Sequence, residues 1–140
     1  MYTLDASVHL NALNAAEPGS AASQACLQQL IARREAIFSP TLLLVELAAA
    51  AARALDDAGL ALELTQAVRG LPGQVWISLD DELAAEAARL SAEARLRGAD
   101  AIYAAVARRY GATLITRDRQ QLERLGDWAP VMTPEEFLET

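Results

Sequence analysis

Apolar and polar positions along the chain alternate between short aliphatic or β-branched runs and longer stretches with a helical period. Residues 2–6 read as a first strand, followed by a helix over 7–15 with Ser7 as its cap. Glu17-Pro18-Gly19-Ser20 breaks the pattern before a second helix over 21–33. A second strand over 36–39 leads into Ser39-Pro40-Thr41, where proline suits the first turn of a third helix because its missing N–H would have no partner there. Asp56-Asp57-Ala58-Gly59 separates that helix from a fourth over 60–68, and Gly70-Leu71-Pro72-Gly73 is another break. A brief strand at 75–78 precedes Asp80-Asp81-Glu82, the acidic first turn that a helix dipole favours, and a long helix to 97. Gly98 reads as its end, Asp100 opens the next helix to 110, and Gly111 stops that one. Residues 113–116 form the other clear strand, a short helix covers 119–125, an edge strand falls at 130–132, and Thr133-Pro134-Glu135-Glu136 starts a last helix.

Strands alternating with helices predict an α/β fold with a parallel sheet covered on both faces, and the length fits one domain over residues 1–140. In such a sheet, ligands bind outside the carboxyl ends of the strands. Asp5 and Asp118 lie at such ends, Asp100 at a helix start and Glu46 inside the third helix. If the first and fourth strands are neighbours, Asp5 and Asp118 face one crevice, and Asp100 and Glu46 complete a carboxylate set. Glu46 is flanked at helical spacing by Leu42, Leu43, Ala49 and Ala50. Burying it unpaired would cost on the order of several kcal/mol or force protonation, so it needs a cation, either an arginine or a metal. The purely structural alternatives are Asp100 and Asp118 as helix N-caps, contributing ~1 kcal/mol each, and Asp5 as a turn acceptor.

Composition narrows the chemistry. All 12 basic residues are arginine, so a Walker-type phosphate loop and the receiver-type or haloacid-dehalogenase-type aspartyl phosphoryl sites lack their lysine. One histidine, His9, and one cysteine, Cys26, leave little for a Ser-His-Asp or Cys-His site. The lone cysteine agrees with a reducing cytosol. No basic leader precedes an apolar run, and the longest apolar stretch, 40–52, falls short of the ~20 residues a membrane span requires. A soluble, cytoplasmic protein is expected. The net charge of −7 runs against a nucleic-acid partner, but residues 89–124 hold eight arginines against four acids. That local balance suits phosphate binding beside a carboxylate cluster, and solvated helix faces equally well.

The segments Leu4-Asp5-Ala6-Ser7, Val45-Glu46-Leu47, Leu96-Arg97-Gly98-Ala99-Asp100-Ala101 and Gly111-Ala112-Thr113-Leu114-Ile115-Thr116-Arg117-Asp118 occur in this order along essentially the whole chain. In order and spacing the chain resembles the PIN-domain ribonucleases, and among them the small VapC-type toxins. The resemblance implies a three-layer α/β/α domain with a central, mostly parallel sheet of four to five strands. It also implies that Asp5, Glu46, Asp100 and Asp118 hold one or two Mg²⁺ or Mn²⁺ ions. Asp5 and Asp100 would ligate directly, with Glu46 and Asp118 ligating or orienting bound water. Thr116 matches a hydroxyl that orients water or a carboxylate, and Arg117 or Arg119 would brace a phosphate. Many such proteins carry a further acid shortly after the position of Asp118, where this chain has Gln120 and Gln121.

The implied activity is metal-dependent cleavage of single-stranded or looped RNA, leaving a 3′-hydroxyl and a 5′-phosphate. The implied partners are a cognate antitoxin and a second copy of the chain, received on the apolar faces around 42–52 and 60–68. Tyr103, Tyr110, Trp76 and Trp128 are the few rings able to stack a base, with core packing as their alternative. Two other readings are a catalytically silent PIN-like module that binds RNA or protein, and a DNA-directed nuclease of related fold.

Overall fold

The computed structural model describes all 140 residues. Five parallel strands form one sheet in the order β3-β2-β1-β4-β5. In chain order these are β1 (Tyr2–Leu4), β2 (Ile37–Pro40), β3 (Gln74–Ile77), β4 (Thr113–Ile115) and β5 (Val131–Met132). The helices are α1 (Ala6–Leu13), α2 (Ser20–Ala32), α3 (Leu42–Leu55), α4 (Ala58–Arg69), α5 (Asp81–Ala94), α6 (Gly98–Tyr110), α7 (Arg119–Arg124) and α8 (Pro134–Leu138).

Strand periodicity sorts the core into two layers. Leu4 and Ile115, opposite each other in the β1–β4 ladder, pack with Ile37, Val8, Cys26, Leu30 and Phe137 on the face covered by α1, α2 and α8. Leu114, one residue away, turns to the other face, among Leu43, Leu47, Leu83, Leu90, Tyr103 and Val106 of α3, α5 and α6. The three-layer expectation follows directly from this alternation. No helix is long and apolar enough to cross a membrane.

Several boundaries differ from the sequence reading. Pro40 ends β2, paired with Ile77 of β3, rather than entering α3. Its missing N–H is tolerated because β1 and β2 are in register only at Tyr2 and Ile37, and Thr41 N–H supplies the next bond to Ile77 O. α5 stops at Ala94, three residues before the expected end, where Arg95 takes a left-handed conformation with φ 54°. Gly98 then begins α6 instead of ending α5, which moves Asp100 from the cap into the first turn. β1 stops at Leu4, and Asp5 rather than Ser7 occupies the N-cap position of α1. α8 is fixed by a full capping box, Thr133 Oγ1 accepting from Glu136 N–H while the Glu136 carboxylate accepts from Thr133 N–H.

Candidate active site

β1 and β4 are adjacent, with Leu4 opposite Ile115. Asp5 continues the β1 ladder by donating its N–H to Ile115 O, so its side chain emerges where both strands end. That carboxylate is 5% exposed. Its Oδ2 accepts from Ser7 Oγ at 2.6 Å and from Thr116 Oγ1 at 3.1 Å. Thr116 Oγ1 in turn accepts the N–H of Asp118 at 2.9 Å, so one hydroxyl couples two of the four acids.

Asp118 caps α7, its Oδ1 accepting from Gln121 N–H at 2.9 Å. The capping expectation therefore holds for Asp118 and fails for Asp100, whose carboxylate makes no backbone cap. Asp100 Oδ1 accepts from Gln121 Nε2 at 3.0 Å and its Oδ2 from Arg97 Nε at 3.3 Å. Arg97 Nη2 also reaches Asp118 Oδ2 at 3.0 Å. Both oxygens of Asp100 and both of Asp118 thus have a donor within the protein. Half-buried Glu46 on α3 accepts from the Tyr103 hydroxyl at 2.6 Å.

Burial, and then the negative charge of Asp100, push the Asp5 carboxyl above its ordinary range, against the lowering effect of Ser7 and Thr116. Glu46 is raised chiefly by burial, with Asp5 and Asp100 adding repulsion and Tyr103 partly offsetting it. Tyr103 is also raised, first by burial and then by its bond to Glu46, so it stays a hydrogen-bond donor. Asp5, Glu46 and Asp100 therefore feel one another's charge, and Arg97 is the one cation bonded within the cluster, to Asp100 and Asp118 only.

Such a set of hard oxygens fits a divalent cation. No side chain donates to Asp5 Oδ1 or Glu46 Oε2, which leaves one oxygen of each available. The arrangement is open rather than a formed cage, because no three of these groups stand together in metal-binding geometry. Arg97 takes the place of a cation between Asp100 and Asp118.

The two arginines expected at a phosphate separate. Arg117 is bound inward, donating to Ser23 Oγ at 2.6 Å, Gly19 O at 2.7 Å and Glu135 Oε1 at 2.8 Å, and this explains why it does not join the carboxylates. Gly19, at φ 83°, takes a conformation that favours glycine, and an added Cβ would lie 2.5 Å from Arg117 Nη1 and force the guanidinium to shift. Arg119 is exposed and pairs only with Glu123 on its own helix. Much of the remaining arginine-rich stretch is also engaged, Arg109 with Glu86 and Arg108 over the Trp128 ring. Of the rings considered for base stacking, Tyr103 is wholly buried, Tyr110 stacks on Phe38, and Trp76 donates to Arg69 O.

The bonds of Tyr103, Arg97 and Gln121 to the acids were not anticipated from the sequence, which offered Tyr103 only for base stacking or core packing. Helical spacing held a signal for each: Tyr103 lies three residues after Asp100 on α6, Gln121 three after the Asp118 cap, and Arg97, the N-cap of α6, three before Asp100. The reach of Arg97 to Asp118, 21 residues along the chain, carried none.

The profile of the PIN domain family matches residues 2–127. Among curated proteins none matches the chain. Solved structures of similar fold include FitAcB from Neisseria gonorrhoeae, 23% identical over 96% of this chain and 99% of its own, with a TM-score of 0.72. VapBC-5 from Mycobacterium tuberculosis, a member of the VapBC family of toxin-antitoxin systems, is 25% identical over 94% of this chain and 95% of its own, with a TM-score of 0.59. VapC20 from the same organism, a sarcin-ricin loop cleaving toxin, is 16% identical over 88% and 95%, with a TM-score of 0.69.

Proposed function

The chain belongs to the PIN domain family, and from that membership we propose that it is a divalent-cation-dependent endoribonuclease acting as the toxin of a toxin-antitoxin pair. The observation that carries the reading is the buried Asp5 carboxylate, held by two hydroxyls and set against the charges of Asp100 and Glu46 at the carboxyl end of the sheet. Burial with mutual repulsion raises the free energy of carboxylates held together, and a bound cation would relieve it.

Asp5 and Asp100 would hold Mg²⁺ or Mn²⁺ directly, with Glu46 and Asp118 ligating or orienting water. When bound, such a cation supplies positive charge opposite the phosphate and makes water more acidic. The protein's own part is orientation. Thr116 and Ser7 fix the rotamer of Asp5, and Tyr103 fixes Glu46 by donating to one oxygen and leaving the other free. Arg119, exposed and next to Asp118 at the start of α7, would meet an RNA phosphate.

RNA as substrate draws support from the similar VapC20, a sarcin-ricin loop cleaving toxin, and an antitoxin partner from the toxin-antitoxin system to which the similar VapBC-5 belongs. The apolar groove of Leu10, Leu13, Ala50, Ala54, Leu55 and Leu64 between α1, α3 and α4 is the surface for that partner, in a homodimeric cytoplasmic toxin. A silent PIN-like binding module is the second reading, favoured by the fully bonded oxygens of Asp100 and Asp118 and by Gln120.

Incubation with RNA and with single-stranded DNA in Mg²⁺, Mn²⁺ or EDTA separates the readings. RNA cleavage that stops in EDTA and is largely lost in Asp5→Asn and Asp100→Asn is expected. Cleavage in EDTA, or full activity in both variants, removes the mechanism. A protein inert toward every substrate supports the silent module.

A further inference from the structure

Gln121 has no solvent exposure, although it lies on the short helix α7 at the edge of the carboxylate cluster. An amide at a wholly buried position costs desolvation that an aliphatic side chain would not. Half of that cost is unrecovered, because Gln121 Oε1 is buried and no protein group donates to it. Its Nε2, by contrast, is 3.0 Å from Asp100 Oδ1, and the same residue's N–H is 2.9 Å from Asp118 Oδ1. The amide orientation is set by chemistry, since the reversed amide would oppose Oε1 to a carboxylate oxygen.

One residue thus ties the first turn of α6 to the start of α7 through the two acids themselves. Arg97 touches the same pair from the solvent side, where 71% of its side chain is exposed and a phosphate can draw it off or a divalent cation displace it. Gln121 cannot be drawn off in that way. Being neutral, it fixes Asp100 without cancelling the negative charge a cation needs, and its grip on Oδ1 keeps Oδ2 turned toward the side where Arg97 lies. A glutamate at 121 would add repulsion, and an aliphatic residue would leave Asp100 free to rotate.

We propose that Gln121 is a positioning residue, presetting the Asp100 carboxylate relative to Asp118 so that the pair accepts a divalent cation once Arg97 withdraws. This rests on the nuclease reading above. The test uses the full chain, with Gln121→Leu and the longer, more compliant Gln121→Met as variants and Asp5→Asn as a control. Each protein is melted without divalent ions, titrated calorimetrically with Mn²⁺, and assayed on RNA for kcat and KM.

The variants are expected to melt at or above the wild-type temperature, to bind Mn²⁺ roughly tenfold or more weakly, and to lose kcat with KM unchanged. Mn²⁺ affinity equal to wild type in a folded variant overturns the proposal. So does a loss of affinity that only tracks a lower melting temperature. A wild-type protein that takes up no Mn²⁺ and cleaves nothing overturns the nuclease reading itself. A binding, cleaving wild type matched by its variants removes Gln121 alone.

Discussion

His9, on α1 and 1% exposed, has neither ring nitrogen hydrogen-bonded, and burial lowers its pKa to about 4 from 6.5. The native state therefore holds it neutral while the unfolded chain protonates it below pH 6.5. Stability from this residue is intact above that pH, falls as pH drops from 6.5 toward 4, and levels off below, for a total of about 3 kcal/mol. His9→Leu should remove that part of the acid loss, which melting curves at pH 7.5, 5.5 and 4.5 would reveal as a smaller spread than in wild type. A second expectation concerns Arg97. Because its guanidinium occupies one oxygen of Asp100 and one of Asp118, Arg97→Gln should tighten Mn²⁺ binding several-fold by calorimetry, where a purely structural bridge would leave affinity unchanged. The acids themselves were legible in the sequence because each sits at an element boundary or on an apolar helical face. Their donors were less so: Thr116 came only through the family resemblance, and Tyr103 reaches Glu46 across 57 residues of chain, a pairing that only the fold sets.

Elements carried their own signals unequally. The strands and their helices were readable from periodicity, whereas the boundary between α5 and α6 was not, because Arg95 adopts a left-handed conformation that sequence assigns by default to glycine. Gly98 is helical instead, and that two-residue displacement decides whether Asp100 caps a helix or projects from its first turn. Arg117 shows a similar inversion. Expected, with Arg119 as the alternative, to brace a phosphate, it instead joins the start of α2 to α8 through Gly19, Ser23 and Glu135. Arg117→Met should therefore lower stability by about 1–3 kcal/mol in urea unfolding, since several charge-assisted bonds to part-buried groups are lost together. KM for RNA should stay unchanged, and a raised KM in a folded variant would return this residue to the phosphate.

At the scale of the whole molecule, the parallel sheet places β1 and β4 side by side and so assembles acids that are more than a hundred residues apart. Gathering these carboxylates is costly, and cation binding should show as added stability. At a Mn²⁺ concentration about a hundred times its dissociation constant, the gain is ~2.7 kcal/mol, a rise of several degrees in melting temperature that EDTA reverses and Asp5→Asn abolishes. Cys26, packed under the sheet with its thiol pushed up to about 12, has a practical value of its own. The only sulfhydryl of the chain resists alkylation at neutral pH, so the native protein offers a silent background for maleimide dyes. Val45→Cys, at a position 65% exposed beside Glu46, would then carry a single fluorophore whose quenching follows, in real time, whatever approaches the mouth of the cleft.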